Sequence, residues 1–285
     1  MSVLSVAVLA LFSVAQARLG GDSVKPVLSP SRNASSSLPG AVNFAAGRHA
    51  AGSNASGTVP CPCEEYNSAW KPCTRTYPMC VFIDLGAANG NTFQDFMSNK
   101  YGPVAECPGG HWHATLVEAN PHFNAPLQSI ATTYGPAVYA ASSTAAYMCD
   151  AQTTFYLDTK NHKENYWGSS MSPNHVDVQK SGMTQVTVPT VNLIRILYEG
   201  TIPGDYVIVK MDIEGAEWDV MPCLARAPAA SLIDRMYVEV HPQSWGNMGT
   251  TQQDMDMALV RLRQRGIHIP KDYHSQTFIQ EHHEP

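Results

Sequence analysis

The hexapeptide Tyr206-Val207-Ile208-Val209-Lys210-Met211 constrains this chain more than any other stretch. An unbroken apolar run of this length reads as a strand buried on both faces, the habit of parallel sheets covered by helices. Cys80-Val81-Phe82-Ile83-Asp84-Leu85 has the same character and ends on Gly86. His113–Glu118, Ala137–Ala141 and Arg235–Val240 supply three more strands. Helical spacing fills the gaps, over residues 91–100, 122–133, 216–225 and 251–265. In the last of these Met255, Leu259 and Leu262 share one face. Strands alternating with helices predict βαβ units, an α/β fold and a mostly parallel sheet. Residues 158–185 are polar and rich in Gly, Pro and Asn, and are expected to form a long loop of the kind used as a lid or binding surface.

The N-terminus is a different material. Val3–Val14 is almost wholly apolar, too short to span a bilayer comfortably, and leads to Ala15-Gln16-Ala17. Residues 1–17 are expected to be a secretory signal peptide, with a short signal anchor as the alternative. Residues 18–59 are dominated by Ser, Gly, Ala and Pro. They hold too few large apolar side chains to offset ordering entropy, so a flexible linker is expected. It carries two sequons, Asn33-Ala34-Ser35 and Asn54-Ala55-Ser56. The folded domain is expected over 60–285, with a Cys-rich entry segment at 60–80.

Four of the seven cysteines, Cys61, Cys63, Cys73 and Cys80, lie in that entry segment, ahead of Cys107, Cys149 and Cys223. Disulfides that pin the segment fit an oxidising lumen. A zinc knot is the alternative, although the spacing lacks the usual C-x2-C pairs. An odd number leaves at least one thiol outside intramolecular pairing. The balance of 18 Lys+Arg against 24 Asp+Glu gives −6, against the basic stripe of a nucleic-acid binder. No run of about 18 apolar residues marks a membrane span.

Chemistry-bearing residues gather at the strand ends, where open α/β sheets bind ligands. Asp84-Leu85-Gly86-Ala87-Ala88-Asn89-Gly90-Asn91 is a glycine loop between a strand and a helix. Its glycines permit close backbone approach, but G-x-x-x-G is not the dinucleotide fingerprint; a plain tight turn is the alternative. Glu118 ends the second strand, where a carboxylate can accept hydrogen bonds from vicinal ribose hydroxyls. Lys210, Asp212, Glu214 and Glu217 crowd the end of the strongest strand. Unpaired charges are expensive to bury, so this group needs partners or a ligand. His111-Trp112-His113 lacks a third metal ligand and is expected in a solvated loop, as are His274, His282 and His283 in the tail.

The strings V-F-I-D-L-G-A-A-N-G, L-V-E-A-N-P and V-K-M-D-I-E-G-A-E, in this order over residues 80–240, resemble the FkbM-type family of S-adenosylmethionine-dependent methyltransferases. Val186–Leu197 resembles the family segment before the last string, with Asn192 where the family usually has aspartate. Pro103, Cys107 and Gly109-Gly110 mark an insertion between the first helix and second strand. The resemblance implies a Rossmann-like class I methyltransferase with a seven-stranded, mostly parallel sheet and helices on both faces. It implies S-adenosylmethionine as cofactor, held by Asp84, Gly86, Ala87, Gly90, Asn91, Glu118 and Asp212, with Ser142 and Ser143 near the adenine. It places Asp212 beside the methyl donor; the catalytic residues expected are Asp212, His241, Glu214 and Lys210, and no resident metal is expected.

Methyl transfer from a sulfonium needs alignment above all, and a base for a hydroxyl acceptor. His241 is the first candidate base, since an unperturbed imidazole titrates near 6.5; Asp212 is the second. The expected protein is an O-methyltransferase of the secretory pathway, in the Golgi lumen or outside the cell. Its expected substrate is a hydroxyl of a glycan or small metabolite. The alternatives are a metal-dependent glycosyltransferase using Asp212 and Glu214, and a non-catalytic secreted module.

Overall fold

The apolar runs fold as strands and the periodic segments between them as helices. The computed structural model describes residues 61–63, 69–271 and 273. The signal segment, the linker with both sequons and the tail histidines lie outside the described residues. In chain order the strands are β1 (Cys80–Leu85), β2 (Trp112–Glu118), β3 (Val138–Ser142), β4 (Ala145–Tyr147), β5 (Gln152–Tyr156), β6 (Gln185–Asn192), β7 (Tyr206–Met211) and β8 (Arg235–Val238). The helices are α1 (Asn91–Met97), α2 (Asn124–Tyr134), α3 (Val176–Lys180), α4 (Leu193–Gly200), α5 (Glu217–Leu224) and α6 (Gln252–Gln264).

Five strands make a parallel sheet in the order β3-β2-β1-β7-β8. The side chains alternate across it. Phe82, Ala114, Leu116 and Ile208 pack with Phe93 and Phe96 of α1 and Leu127 of α2. Val81, Ile83, Leu85, Val207, Val209 and Met211 face α4, α5 and α6. Helices therefore cover both faces, as a Rossmann-like α/β fold requires. The register places Leu85 opposite both Val117 and Met211, and Met211 opposite Val238. Four strand tips thus end level, and the next residues, Gly86, Glu118, Asp212 and Glu239, lie side by side.

Seven strands in one sheet are not observed among the described residues. Beyond β8 the sheet continues only as a single parallel bridge, Arg235 to His268, with Ile267 and Ile269 buried against the core. The remaining strands form a separate sheet, β4-β6-β5. The stretch 158–185 is more ordered than a bare loop. It contains α3, and Ser170 bridges back to Tyr156. Its order comes from polar contacts: Asp158 Oδ1 accepts from the Lys160 and Asn161 N–H groups and the Ser181 hydroxyl.

Disulfides Cys61–Cys223 and Cys63–Cys149 staple the entry segment to α5 and to the turn after β4, and Cys80–Cys107 ties the insertion to β1. Each of Cys61, Cys63 and Cys80 pairs outside the entry segment, which removes the zinc-knot alternative; Cys73 is the thiol left over. His113 lies in β2 as its strand run expected, and Trp112 joins the strand instead of a solvated loop because it packs on Phe93, Phe96 and Tyr134. No helix among the described residues is long and apolar enough to cross a membrane.

Candidate active site

The level strand tips open onto one cavity of ≈ 1070 Å³, whose lining includes Gly86, Glu118, Lys210, Asp212, Glu214 and His241. Chain order separates these residues widely; parallel register unites them.

Gly86 has φ +82 and stands against the backbone of Asp212, where a Cβ would lie 1.8 Å from the Asp212 carbonyl oxygen. Only glycine allows that approach. The loop is then fastened on both sides. Gly86 and Ala87 N–H groups donate to Val117 O, and the Asp212 N–H donates to Leu85 O, all at 3.0 Å. Ala88 takes a left-handed φ of 44° and donates its N–H to Glu118 Oε2 at 2.8 Å. Glu118 Oε1 accepts from the Asn120 N–H at 2.6 Å. Glu118 thus pins the glycine loop as well as facing the cavity. Burial pushes its carboxyl up to about 7 despite those two donors.

Lys210 is buried beneath the loop. Its ammonium donates to Gly86 O at 2.8 Å and lies 3.5 Å from Asp84 Oδ1 and 3.4 Å from Asp212 Oδ2. Burial alone would lower the lysine; the carboxylates of Asp212 and Asp84 more than reverse it and hold it above the ordinary range. Asp84 is fully buried, and burial raises its carboxyl against the pull of Lys210.

His241 follows β8 and reaches the tip of β7. Its Nδ1 is 2.9 Å from Glu217 Oε1, and its Nε2 is 3.3 Å from Glu214 Oε2 and 3.7 Å from Asp212 Oδ1. Burial disfavours the imidazolium, but the hydrogen bond to Glu217 and the charges of Glu217, Glu214 and Asp212 overcome it and raise the pKa to about 10. With no ion beside it, a ring held in this way favours its protonated form near neutral pH, which weighs against His241 as the general base expected from the sequence. Glu214, with a left-handed φ of 52°, also meets His175 Nε2 at 3.1 Å, and burial raises its carboxyl.

Several expected site residues sit elsewhere. Ala87 is fully buried in the apolar layer under α1 and does not line the cavity. Gly90 precedes α1 and packs on Ile130, away from the lining. Ser143 exchanges hydrogen bonds with the Asn124 side chain, and its neighbour Thr144 lines the cavity in its place. Asn91 does line it. Asn192 caps α4 through the Ile194 N–H and donates its amide to Met148 O, a structural duty.

Two residues, His175 and Trp245, escaped the sequence reading, and a third, Glu217, was read without its role. Glu217 was visible only as the last acid of the D-I-E-G-A-E string, yet it is fully buried and accepts from the backbone N–H groups of Gly215 and His241. His175 and Trp245 come from polar connections without periodic signal; their rings lie 3.8 Å apart, and Trp245 stacks on His241 at 5.6 Å.

The model of the methyltransferase FkbM domain matches residues 84–268. No curated protein and no solved structure matches the chain.

Proposed function

The chain belongs to the methyltransferase FkbM family, and from that premise we propose that it is an S-adenosylmethionine-dependent O-methyltransferase of the secretory pathway. Its acceptor is a hydroxyl of a glycan or small metabolite. The observation that carries the reading is the level register of β1, β2 and β7, which brings a glycine loop and two acidic tips to one cavity.

The donor set fits the cofactor. Asp84 is fully buried beneath the glycine loop, outside the cavity lining, and is paired with Lys210, while the cavity wall itself carries the carboxylates of Glu118, Asp212 and Glu214, a negative lining suited to a cationic ligand. Glu118, bound by two backbone donors, still has lone pairs for a ribose diol. When bound, S-adenosylmethionine supplies a methyl group already attached to a cationic leaving group. The chain's own task is alignment, which can account for much of the rate. Gly86 lets the loop approach closely. Lys210 holds Asp84, Asp212 and the Gly86 carbonyl in one arrangement. His241, fixed by Glu217, orients Asp212 and Glu214, and this carboxylate pair receives the proton of the acceptor hydroxyl.

Three disulfides are compatible with an oxidising compartment. The proposal accordingly includes residues 1–17 as a signal peptide, 18–59 as a linker and 60–285 as the catalytic domain. Family membership favours methyl transfer over the glycosyltransferase alternative.

A thermal-shift titration with S-adenosylhomocysteine, followed by mass analysis of cell-surface glycans incubated with methyl-labelled cofactor, tests the reading. Ligand at 100 times its Kd should stabilise the protein by about 2.7 kcal/mol, and the label should appear on an acceptor oxygen. Stabilisation by a nucleotide sugar in its place would redirect the assignment to glycosyl transfer. Stabilisation by neither would leave the non-catalytic module.

A further inference from the structure

Three acceptor atoms converge where β7 and β8 end. Asp212, Glu214 and His241 each offer a ligand atom within 4.8 Å of the others', the one such triad among the described residues. Nε2 is 3.3 Å from the glutamate oxygen and 3.7 Å from the aspartate oxygen. Ligands at about 2.1 Å from a divalent ion sit about 3 Å apart on neighbouring vertices and about 4.2 Å apart on opposite ones, so seating one draws Nε2 toward the two oxygens by about 0.3 to 0.7 Å. Carboxylate oxygens and an imidazole lone pair repel across such a gap. Lys210 meets the far oxygen of Asp212 and His175 Nε2 meets Glu214 Oε2 at 3.1 Å, and a proton on His241 Nε2 or a metal ion relieves the repulsion left among the three atoms.

The surroundings are built for the second occupant. The remote nitrogen of His241 is bonded to Glu217 Oε1 at 2.9 Å, and Glu217 is fully buried and tied to two backbone N–H groups. A carboxylate behind the imidazole fixes its ring and strengthens Nε2 as a ligand, the usual outer shell of a histidine metal site. Lys210 engages Asp212 Oδ2 and leaves Oδ1 turned to His241. Trp245 covers the imidazole face. The three donor residues line the cavity.

We propose that Asp212, Glu214 and His241 bind a divalent ion of the Mn²⁺ type, with its remaining coordination positions open to the cavity for the acceptor hydroxyl. Two carboxylate oxygens and one imidazole nitrogen make a mixed hard and borderline set, which suits Mn²⁺ better than the thiolate-seeking ions. The role of the ion, though not its binding, rests on the methyl-transfer reading. The coordinated hydroxyl becomes more acidic. It releases its proton through the carboxylate pair to solvent, and its oxygen gains the methyl carbon. The C–S bond breaks with both electrons staying on sulfur. No oxidant or reductant enters.

The full chain, stripped with chelator, is titrated with MnCl₂ at pH 7.5 while electron paramagnetic resonance reads free Mn²⁺. One Mn²⁺ should bind per chain. Glu214→Gln and His241→Gln should each weaken it at least tenfold, within the about 10–100-fold range for damaged metal shells. Glu106→Gln, an exposed carboxylate elsewhere, should leave it unchanged. Circular dichroism of each variant shows that it is folded, and Glu214→Gln, nearly isosteric, is retained if His241→Gln is not. No uptake by the wild type, or uptake indifferent to Glu214→Gln, overturns the site. The same samples are titrated with S-adenosylhomocysteine. Nucleoside binding without Mn²⁺ uptake sinks the metal site and spares methyl transfer; Mn²⁺ uptake without nucleoside binding keeps the site and removes its role.

Discussion

Replacing Gly86 with alanine tests whether the meeting of β1 and β7 builds the site, and Gly90→Ala is its control. Both glycines have left-handed φ, +82 and +83, so both variants carry the same backbone strain, about 1–2 kcal/mol. They differ in what the new methyl meets. At Gly90 it meets Ile130 Cδ1 at 2.2 Å, the far end of a side chain that can rotate away. At Gly86 it meets the Asp212 carbonyl at 1.8 Å, which belongs to the backbone and cannot swing. The strand tips must part, with overpacking of about 1–3 kcal/mol. The Asp212 N–H bond to Leu85 O is then lost, for about 1 kcal/mol more. Gly86→Ala should therefore destabilise by about 3–6 kcal/mol and Gly90→Ala by about 1–3 kcal/mol. Urea denaturation compares the two, and calorimetry measures S-adenosylhomocysteine affinity under folding conditions. Gly86→Ala should lose affinity at least tenfold, while Gly90→Ala keeps it within about threefold, because only the first displaces Asp212 and the Lys210 contact to Gly86 O. Equal midpoints for the two variants, or full affinity in Gly86→Ala, would refute the reasoning.

The remaining expectations concern charge and crosslinks. The Glu118 carboxyl is raised to about 7 from 4.5. Between these pH values the folded chain keeps a proton that the unfolded chain has released, so this contribution to stability falls as pH rises to about 7 and is level above it. A ribose diol prefers the ionised form, so S-adenosylhomocysteine affinity should climb as pH passes upward through about 7, and Glu118→Gln should flatten that step; identical profiles would remove the ribose assignment. Lys210→Met leaves Asp84 buried without its cation and should destabilise by about 3–5 kcal/mol at pH 8. The loss should shrink at pH 5, as Asp84 takes up a proton, and a pH-independent loss would contradict the ion-pair account. Removing Cys61–Cys223, which spans 162 residues, should destabilise more than removing Cys80–Cys107, which spans 27. Chain entropy gives about 5 against about 3.6 kcal/mol, and denaturation midpoints in the reverse order would contradict it.

The main sheet was legible because its strands are buried on both faces. Continuous apolar runs such as Val207–Val209 leave little choice of structure, and the glycine and acids after them mark the tips. The second sheet was not legible. In β6 burial does alternate along Gln185–Asn192, but Thr190 and Asn192 are among the inward residues and Pro189 argues against a strand; the segment is held by pairing with β4 and β5, which sequence order hides. The stretch 158–185 misled for a related reason. Side chains such as Asp158 and Ser181 satisfy the backbone there, and this polar work leaves no hydrophobic period.

His241 marks the boundary between what residue types reveal and what only contacts reveal. Its position after β8, beside Asp212, followed from the sequence pattern. Its charge did not, because the sign of a pKa shift depends on which neighbours win against burial. Glu217 decides the matter from 24 residues away, through a buried carboxylate bonded to both the ring and the backbone of His241. An imidazole without that partner would lose most from burial and stand ready as a base near neutrality. With it, and with no ion bound, the ring is held toward its cationic form beside Glu214 and Asp212. Glu217→Gln should therefore lower the His241 pKa toward its ordinary range, read by NMR titration of the ring protons, since the neutral amide withdraws the largest stabilising charge. An imidazole that still titrates near 10 in that variant would show that Glu214 and Asp212 alone suffice, and that the buried acid behind the ring only positions it.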